Sequence, residues 1–230
     1  MYQPSLEDYI AQLLHSPSAD IRRNAAWMLG RERSIRLVEP LCQAIYDEDL
    51  HVRIRVIEAL ANQHHVDAIP TLLELLQDES AAVQAQSLKG LALMAELAKQ
   101  PDVCEQIERF LQDPEALLRA DAAMALGQIQ CPETVPALIQ QLIQESDEGV
   151  IYALSHALIQ FGKEDAHSIE ILRSALDQIQ KPKALTKALE VLGYIPQKES
   201  IDYLKIYLDH EDDTVYATAE WALERIQAKG

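Results

Sequence analysis

The sequence predicts an all-α fold, an α-solenoid of about seven helical hairpins, and three observations carry that prediction. A ten-residue pattern recurs seven times at a nearly fixed period. The composition favours helix over sheet. Each copy of the pattern is preceded by a second apolar stripe at helical spacing. The clearest copy is Leu118–Gly127 (LRADAAMALG), and its relatives begin at Ile21, Val52, Val83, Val150, Ala184 and Val215. Successive first residues are 31, 31, 35, 32, 34 and 31 positions apart. A fixed period in that range marks stacked supersecondary units, each too small to bury its own apolar face. In every copy the first residue is apolar or small and an apolar residue follows eight later, which is one buried stripe of a helix two turns long.

The first helix of each hairpin aligns by counting back eleven and eight residues. This places Ile10 and Leu13, Leu41 and Ala44, Leu72 and Leu75, Ile107 and Phe110, Ile139 and Leu142, and Leu204 and Tyr207. The sixth unit is out of step by one and offers Leu172 and Leu176. Pro40, Pro70 and Pro136 stand near the openings of these helices, where the missing N–H is no loss. Acidic turns follow, beginning at Asp47, Asp78, Asp113 and Glu145, and their carboxylates are expected to cap the second helices and complement their dipoles. Gly30, Gly127 and Gly193 fall at one register and are expected to terminate second helices as C-terminal glycines do. The whole chain, 1–230, divides as a single array into units 1–34, 35–65, 66–99, 100–131, 132–164, 165–197 and 198–230.

Composition narrows the function. The formal charge of −17 opposes nucleic-acid binding, which draws on excess Lys and Arg. No apolar run is long enough to insert in a membrane and no secretory leader pattern opens the chain. Cys42, Cys104 and Cys131 are odd in number, far apart and without a CxxC pair, so the expectation is a reduced, cytoplasmic protein whose three thiols are buried or inert. No phosphate-binding loop, nucleophile elbow or dinucleotide-binding glycine pattern occurs. His64-His65 lies in a link without metal-ligand spacing, and the single His210-Glu211 pair is too little for a di-iron hydroxylase, so no metal site and no catalytic residue is expected.

Asp113…Leu118-Arg119…Ala122-Ala123…Ala125-Leu126-Gly127 and Asp47…Val52-Arg53…Ala59-Leu60 resemble HEAT-like repeats. The form is similar to the repeats of the E/F-type phycobilin lyase subunits and of the phycobilisome-degradation protein NblB. Asn24-Ala-Ala-Trp-Met-Leu-Gly-Arg31 resembles a segment near the start of the E-type subunits. That resemblance implies a curved helical solenoid whose second helices line a concave surface. It also implies phycobiliprotein subunits or a second HEAT-like subunit as partners. A linear tetrapyrrole, phycocyanobilin, would be a transient ligand and not a required cofactor.

The third, fourth and seventh template positions point away from the buried stripe, and on a solenoid they face the concave side. The binding candidates on these rows are Arg23, Trp27, Arg55, Glu58, Lys89, Asp121, Tyr152, His156, Lys187 and Trp221, with Ala85, Ala153 and Thr186 sharing the registers. The eleventh register adds Arg31 and Tyr194. Both tryptophans occupy the seventh position, in the first and last units, as binding anchors or as covers for the ends of the stack. Residues 1–60 hold seven arginines and no lysine. Arginine's planar fork suits carboxylates and stacks on flat rings. Arg22, Arg53 and Arg119, at the second register, are expected instead to bind acidic turns of neighbouring units. The function expected is a non-catalytic recognition scaffold gripping a partner protein, a phycobiliprotein or its tetrapyrrole. The alternatives are a phycobilin lyase subunit and a generic assembly adaptor.

Overall fold

The computed structural model describes residues 4–229, and among them every regular element is helical. The chain forms two compact units, Met1–Val103 and Cys104–Gly230. Unit 1 holds three hairpins: α1 (Leu6–His15) with α2 (Ala19–Leu29), α3 (Val38–Ala44) with α4 (Leu50–Asn62), and α5 (Ala68–Glu74) with α6 (Ala81–Leu93). The four-residue α7 (Ala95–Ala98) follows, and α8 (Pro101–Glu108) spans the boundary. In unit 2, α8 pairs with α9 (Ala116–Ile129), α10 (Val135–Gln144) with α11 (Glu148–Glu164), α12 (Ala166–Ala175) with α13 (Pro182–Tyr194), and α14 (Ile201–Lys205) with α15 (Asp213–Lys229).

Second helices pack on second helices within each unit, α2 on α4 on α6, and α9 on α11 on α13 on α15. The stripe that drives this is the one the period marks. Leu29, Leu60, Leu91, Leu126, Leu158, Leu192 and Leu223, eight positions into each copy, are all buried. Each such leucine contributes roughly 1.5–3 kcal/mol by leaving water. The first position is buried in six copies, whereas Ile21, on the first described hairpin, is 46% exposed. Pro40, Pro70 and Pro136 lie in the first turns of α3, α5 and α10, where their N–H groups would have no helical acceptor.

The acidic turns do two things at once. Asp49 caps α4 by accepting from the His51 and Val52 N–H groups, and Asp147 caps α11 by accepting from Val150 N–H. One turn earlier, the first acid of each turn accepts the N–H two residues on, in Asp47, Asp78, Asp113 and Glu145 alike. In three of the four, Asp47, Asp78 and Glu145, the free edge then faces an arginine from the preceding hairpin. Arg22 meets Asp47 at 2.6 and 2.8 Å, Arg53 meets Asp78 at 3.6 Å, and Arg119 meets Glu145 at 2.8 and 3.1 Å. Each arginine also donates to a carbonyl six residues back, of Ser16, Asp47 and Asp113. One side chain therefore closes its own turn and latches onto the next. Burial pushes the Glu145 carboxyl up, but Arg119, the Asp147 and Ser146 N–H groups and the Gln141 amide outweigh it and hold it at about 2.

Two expectations are corrected. Gly30 ends α2 as expected, as a right-handed C-cap at φ −67°, but Gly127 and Gly193 lie inside α9 and α13, and no described glycine has a positive φ. Their role is close approach. A Cβ on Gly127 would stand 2.7 Å from the Ala157 Cα, so α9 and α11 touch there backbone to backbone. The left-handed cap of α9 is Gln130, at φ 59°. The cysteines are not three separate thiols either. Cys104 on α8 and Cys131 in the link after α9 form a disulfide, their Cα atoms 6.3 Å apart and both side chains buried. Their distance in sequence hides that folding the hairpin returns the chain to its own start. Cys42 remains a half-buried thiol, accepting from the Thr71 hydroxyl at 3.3 Å.

Candidate functional site

The outward rows appear in each unit, with exceptions that follow from packing. Ala85, Ala153 and Thr186 share the outward registers yet are buried. The larger residues project. In unit 1, α2 carries Arg23 and Trp27, α4 carries Arg55 and Glu58, and α6 carries the exposed Lys89. Trp27 is 47% exposed, and the Arg31 guanidinium lies over its ring at 4.9 Å. This stacking places a cation on an exposed aromatic face, worth on the order of 0.5–1 kcal/mol.

Trp27 and Arg55 line two adjoining pockets between α2 and α4, of about 350 and 180 Å³. Arg23 forms one edge, where it pairs with Asp20, and Glu58 the other, where it receives Arg55 at 2.6 Å. The sequence brings these residues together because α2 and α4 use the same template register, so their seventh and fourth positions face one groove.

In unit 2 the candidates fall into two groups. Tyr152 and His156 stack on α11 with ring centroids 6.3 Å apart, and His156 lies 3.4 Å from the Gln160 amide. Tyr152 and Lys187 line a pocket of about 560 Å³ with Lys183, Glu190, Asp212 and Thr214. Lys187 pairs with Glu190 along α13 at 2.7 Å, and Lys183 pairs across to Glu148 on α11. Asp121 sits half-buried on α9. The second group is aromatic. Tyr194 meets Trp221 edge to face at 5.3 Å, and Arg225 stacks on both while donating to the Gly193 carbonyl at 3.0 Å. A Cβ on Gly193 would collide with the Trp221 ring, so this indole packs on the neighbouring helix where Trp27 stands clear. The two tryptophans share a register but not an environment.

The sequence did not signal two features beside the unit 1 pockets. The Gln63 side chain, buried at the end of α4, clamps the link after α2. A groove of about 650 Å³ lies between α1 and α2, lined by Pro4, Leu6, Tyr9, Met28, Arg31 and Glu32. Its α1 residues, Leu6 and Tyr9, hold positions that carry no repeat signal. Among the described residues Cys104, Cys131 and Glu133 have ligand atoms within 4.8 Å of one another, but the two sulfurs are bonded to each other. Among the described residues no helix is long and apolar enough to cross a membrane.

The chain is similar to two curated proteins and to one solved complex. The α subunit of phycocyanobilin lyase from Picosynechococcus is 28% identical over 183 residues, 79% of this chain and 59% of that protein. The chain thus spans about three fifths of that relative's length. The bilin biosynthesis protein PecE of Mastigocladus laminosus is 33% identical over 102 residues, 44% of this chain and 37% of its own. The solved complex of CpcE and CpcF of phycocyanin lyase from Nostoc matches in fold, with a TM-score of 0.60, 20% identity, and coverage of 98% of this chain and 96% of that one. The profile of HEAT repeats matches in overlapping windows at residues 6–92, 38–118, 69–159, 105–180 and 135–224. With its helical hairpins, its period and its Arg–acid latches, the chain belongs to the HEAT-repeat family.

Proposed function

We propose that the chain is a non-catalytic recognition scaffold that grips a partner protein on the outward faces of its second helices, the partner being a phycobiliprotein presenting its linear tetrapyrrole. The observation that carries this is the unit 1 pocket pair: an exposed indole under one guanidinium, with a second guanidinium on the facing helix. A flat ring and two arginine forks match a planar, carboxylate-bearing ligand. The similarity to proteins named as phycocyanobilin lyase subunits supports the pigment as that ligand. It also favours a second reading, in which the chain is one subunit of a lyase. The protein would then hold the bilin extended and shielded from water, and the bond-making would be largely the pigment's own chemistry.

Phycocyanobilin mixed with the purified protein tests both. The expected result is a shifted visible spectrum and quenched tryptophan fluorescence, both lost in Trp27→Ala and Arg55→Glu. An unchanged spectrum without quenching removes the pigment and leaves an adaptor. Transfer of bilin to an apo-phycobiliprotein, alone or with a second HEAT-repeat subunit, separates lyase from carrier.

A further inference from the structure

We propose that the link between α2 and α3, with the groove beside it, is a docking site for an acidic protein segment that carries an apolar anchor. The proposal stands apart from the pigment, sharing only Arg31 with that pocket.

The arginines sort by what they touch. Arg22, Arg53 and Arg119 are latched to acidic turns, and Arg23, Arg55 and Arg109 pair with carboxylates three or four residues away in sequence. Arg173 donates to the Gln197 and Ser200 side chains, and Arg225 to the Gly193 carbonyl. Among the described residues Arg31, Arg33 and Arg36 alone of the arginines have guanidiniums that make no hydrogen bond or ion pair to the protein, and all three residues are exposed. This chain carries 37 acidic residues against 20 basic ones. In such a chain, three unpaired guanidiniums within six residues, with Glu32 the one carboxylate among them, leave a net positive charge at one place.

The place is rigid. The Gln63 amide, buried itself, donates to the Glu32 and Ala59 carbonyls and accepts the Ser34 N–H, each at 3.0 Å. Arg31 and Glu32 donate their N–H groups back to Met28 and Leu29, and Leu37 donates to the Ser34 carbonyl at 2.9 Å. The backbone presenting the arginines is therefore ordered before any partner arrives, which lowers the entropic cost of binding.

The patch also carries apolar surface. Ile35 is 58% exposed between Arg33 and Arg36, and the groove lined by Leu6, Tyr9 and Met28 opens beside Arg31. Guanidinium forks bind carboxylates in pairs, and an exposed isoleucine with an adjoining apolar groove takes an aliphatic or aromatic side chain. A long polyanion such as duplex DNA fits poorly. It would meet the repulsion of the remaining surface of a chain with net charge −17, whereas a short acidic segment touches only the patch.

The test is binding of a fluorescein-labelled peptide carrying glutamates on both sides of a leucine pair, followed by anisotropy at low and moderate salt. The expected result is saturable binding that weakens with salt, falls about tenfold or more in the double variant Arg33→Glu/Arg36→Glu, and falls less in Ile35→Ser. Because neither arginine holds the fold, circular dichroism of the double variant is expected to match the parent. Absence of peptide binding overturns the proposal, as does binding unchanged by the double variant. Equal or tighter binding of a short DNA duplex or of phosphatidylglycerol vesicles overturns it in favour of a general anion site. The double variant should keep the phycocyanobilin response, so loss of peptide binding and loss of pigment binding are separate outcomes.

Discussion

Arg119→Met is the sharpest probe of how unit 2 is held together. The substitution keeps the aliphatic stem and removes the guanidinium that meets Glu145 at 2.8 and 3.1 Å. Glu145 has a side chain only 5% exposed, so its carboxylate is left in the protein and not in water. Breaking one side of a buried pair costs about 3–5 kcal/mol. Here the lower end applies, since the Gln141 amide and the Ser146 and Asp147 N–H groups still serve the carboxylate at 2.8–2.9 Å. The sign of the pH dependence follows. The Glu145 carboxyl is depressed from 4.5 to about 2 in the folded chain. Its contribution, on the order of 3 kcal/mol, is thus complete above its unfolded value and lost as pH falls toward the folded one. Without Arg119 the folded value rises, acid unfolding begins at higher pH, and the gap between parent and variant narrows as Glu145 becomes protonated in both. The assay is urea unfolding at several pH values in a Trp27→Phe background, where Trp221 fluorescence reports unit 2 alone. A loss under about 1 kcal/mol near neutral pH, or one that does not shrink in acid, would refute the latch as argued. Replacing both partners with apolar residues, Arg119→Met with Glu145→Leu, should recover much of the loss.

Two further outcomes follow from packing and covalent structure. Gly127→Val places a branched side chain against Ala157, where even a Cβ stands 2.7 Å from backbone, and should cost about 1–3 kcal/mol by the same fluorescence; Ala157→Gly in the same chain should return part of it. Unreduced protein in denaturant should show one titratable thiol, Cys42, and three after reduction, with reduction lowering the stability of unit 2 by about 3–4 kcal/mol for a loop of this length; three thiols before reduction would remove the Cys104–Cys131 bond.

Much of this was legible in the sequence because helices report themselves locally. The eight-residue spacing from Val52 to Leu60 or from Val150 to Leu158 states which face is buried. An aspartate placed before an apolar run announces a cap, as Asp49 and Asp147 do. The second-register arginines were legible for the same reason, since repetition sets Arg22, Arg53 and Arg119 beside the next acidic turn. The candidate rows were legible only as registers: Trp27 and Trp221 hold the same position, yet one stands clear and the other packs on Gly193 and Tyr194.

The sequence by itself determined that this chain is a row of helical hairpins, which side of each second helix is buried, and where those helices begin. Only the tertiary structure decided that Gly127 and Gly193 bring helices together and do not end them. It alone joined Cys104 to Cys131 and left the Arg31, Arg33 and Arg36 guanidiniums without carboxylate partners beside a rigid link. The reason is physical. Periodicity and capping act within one or two helical turns and are written in neighbouring residues. These contacts join residues some thirty positions apart, and their geometry depends on how closely each hairpin settles on the next.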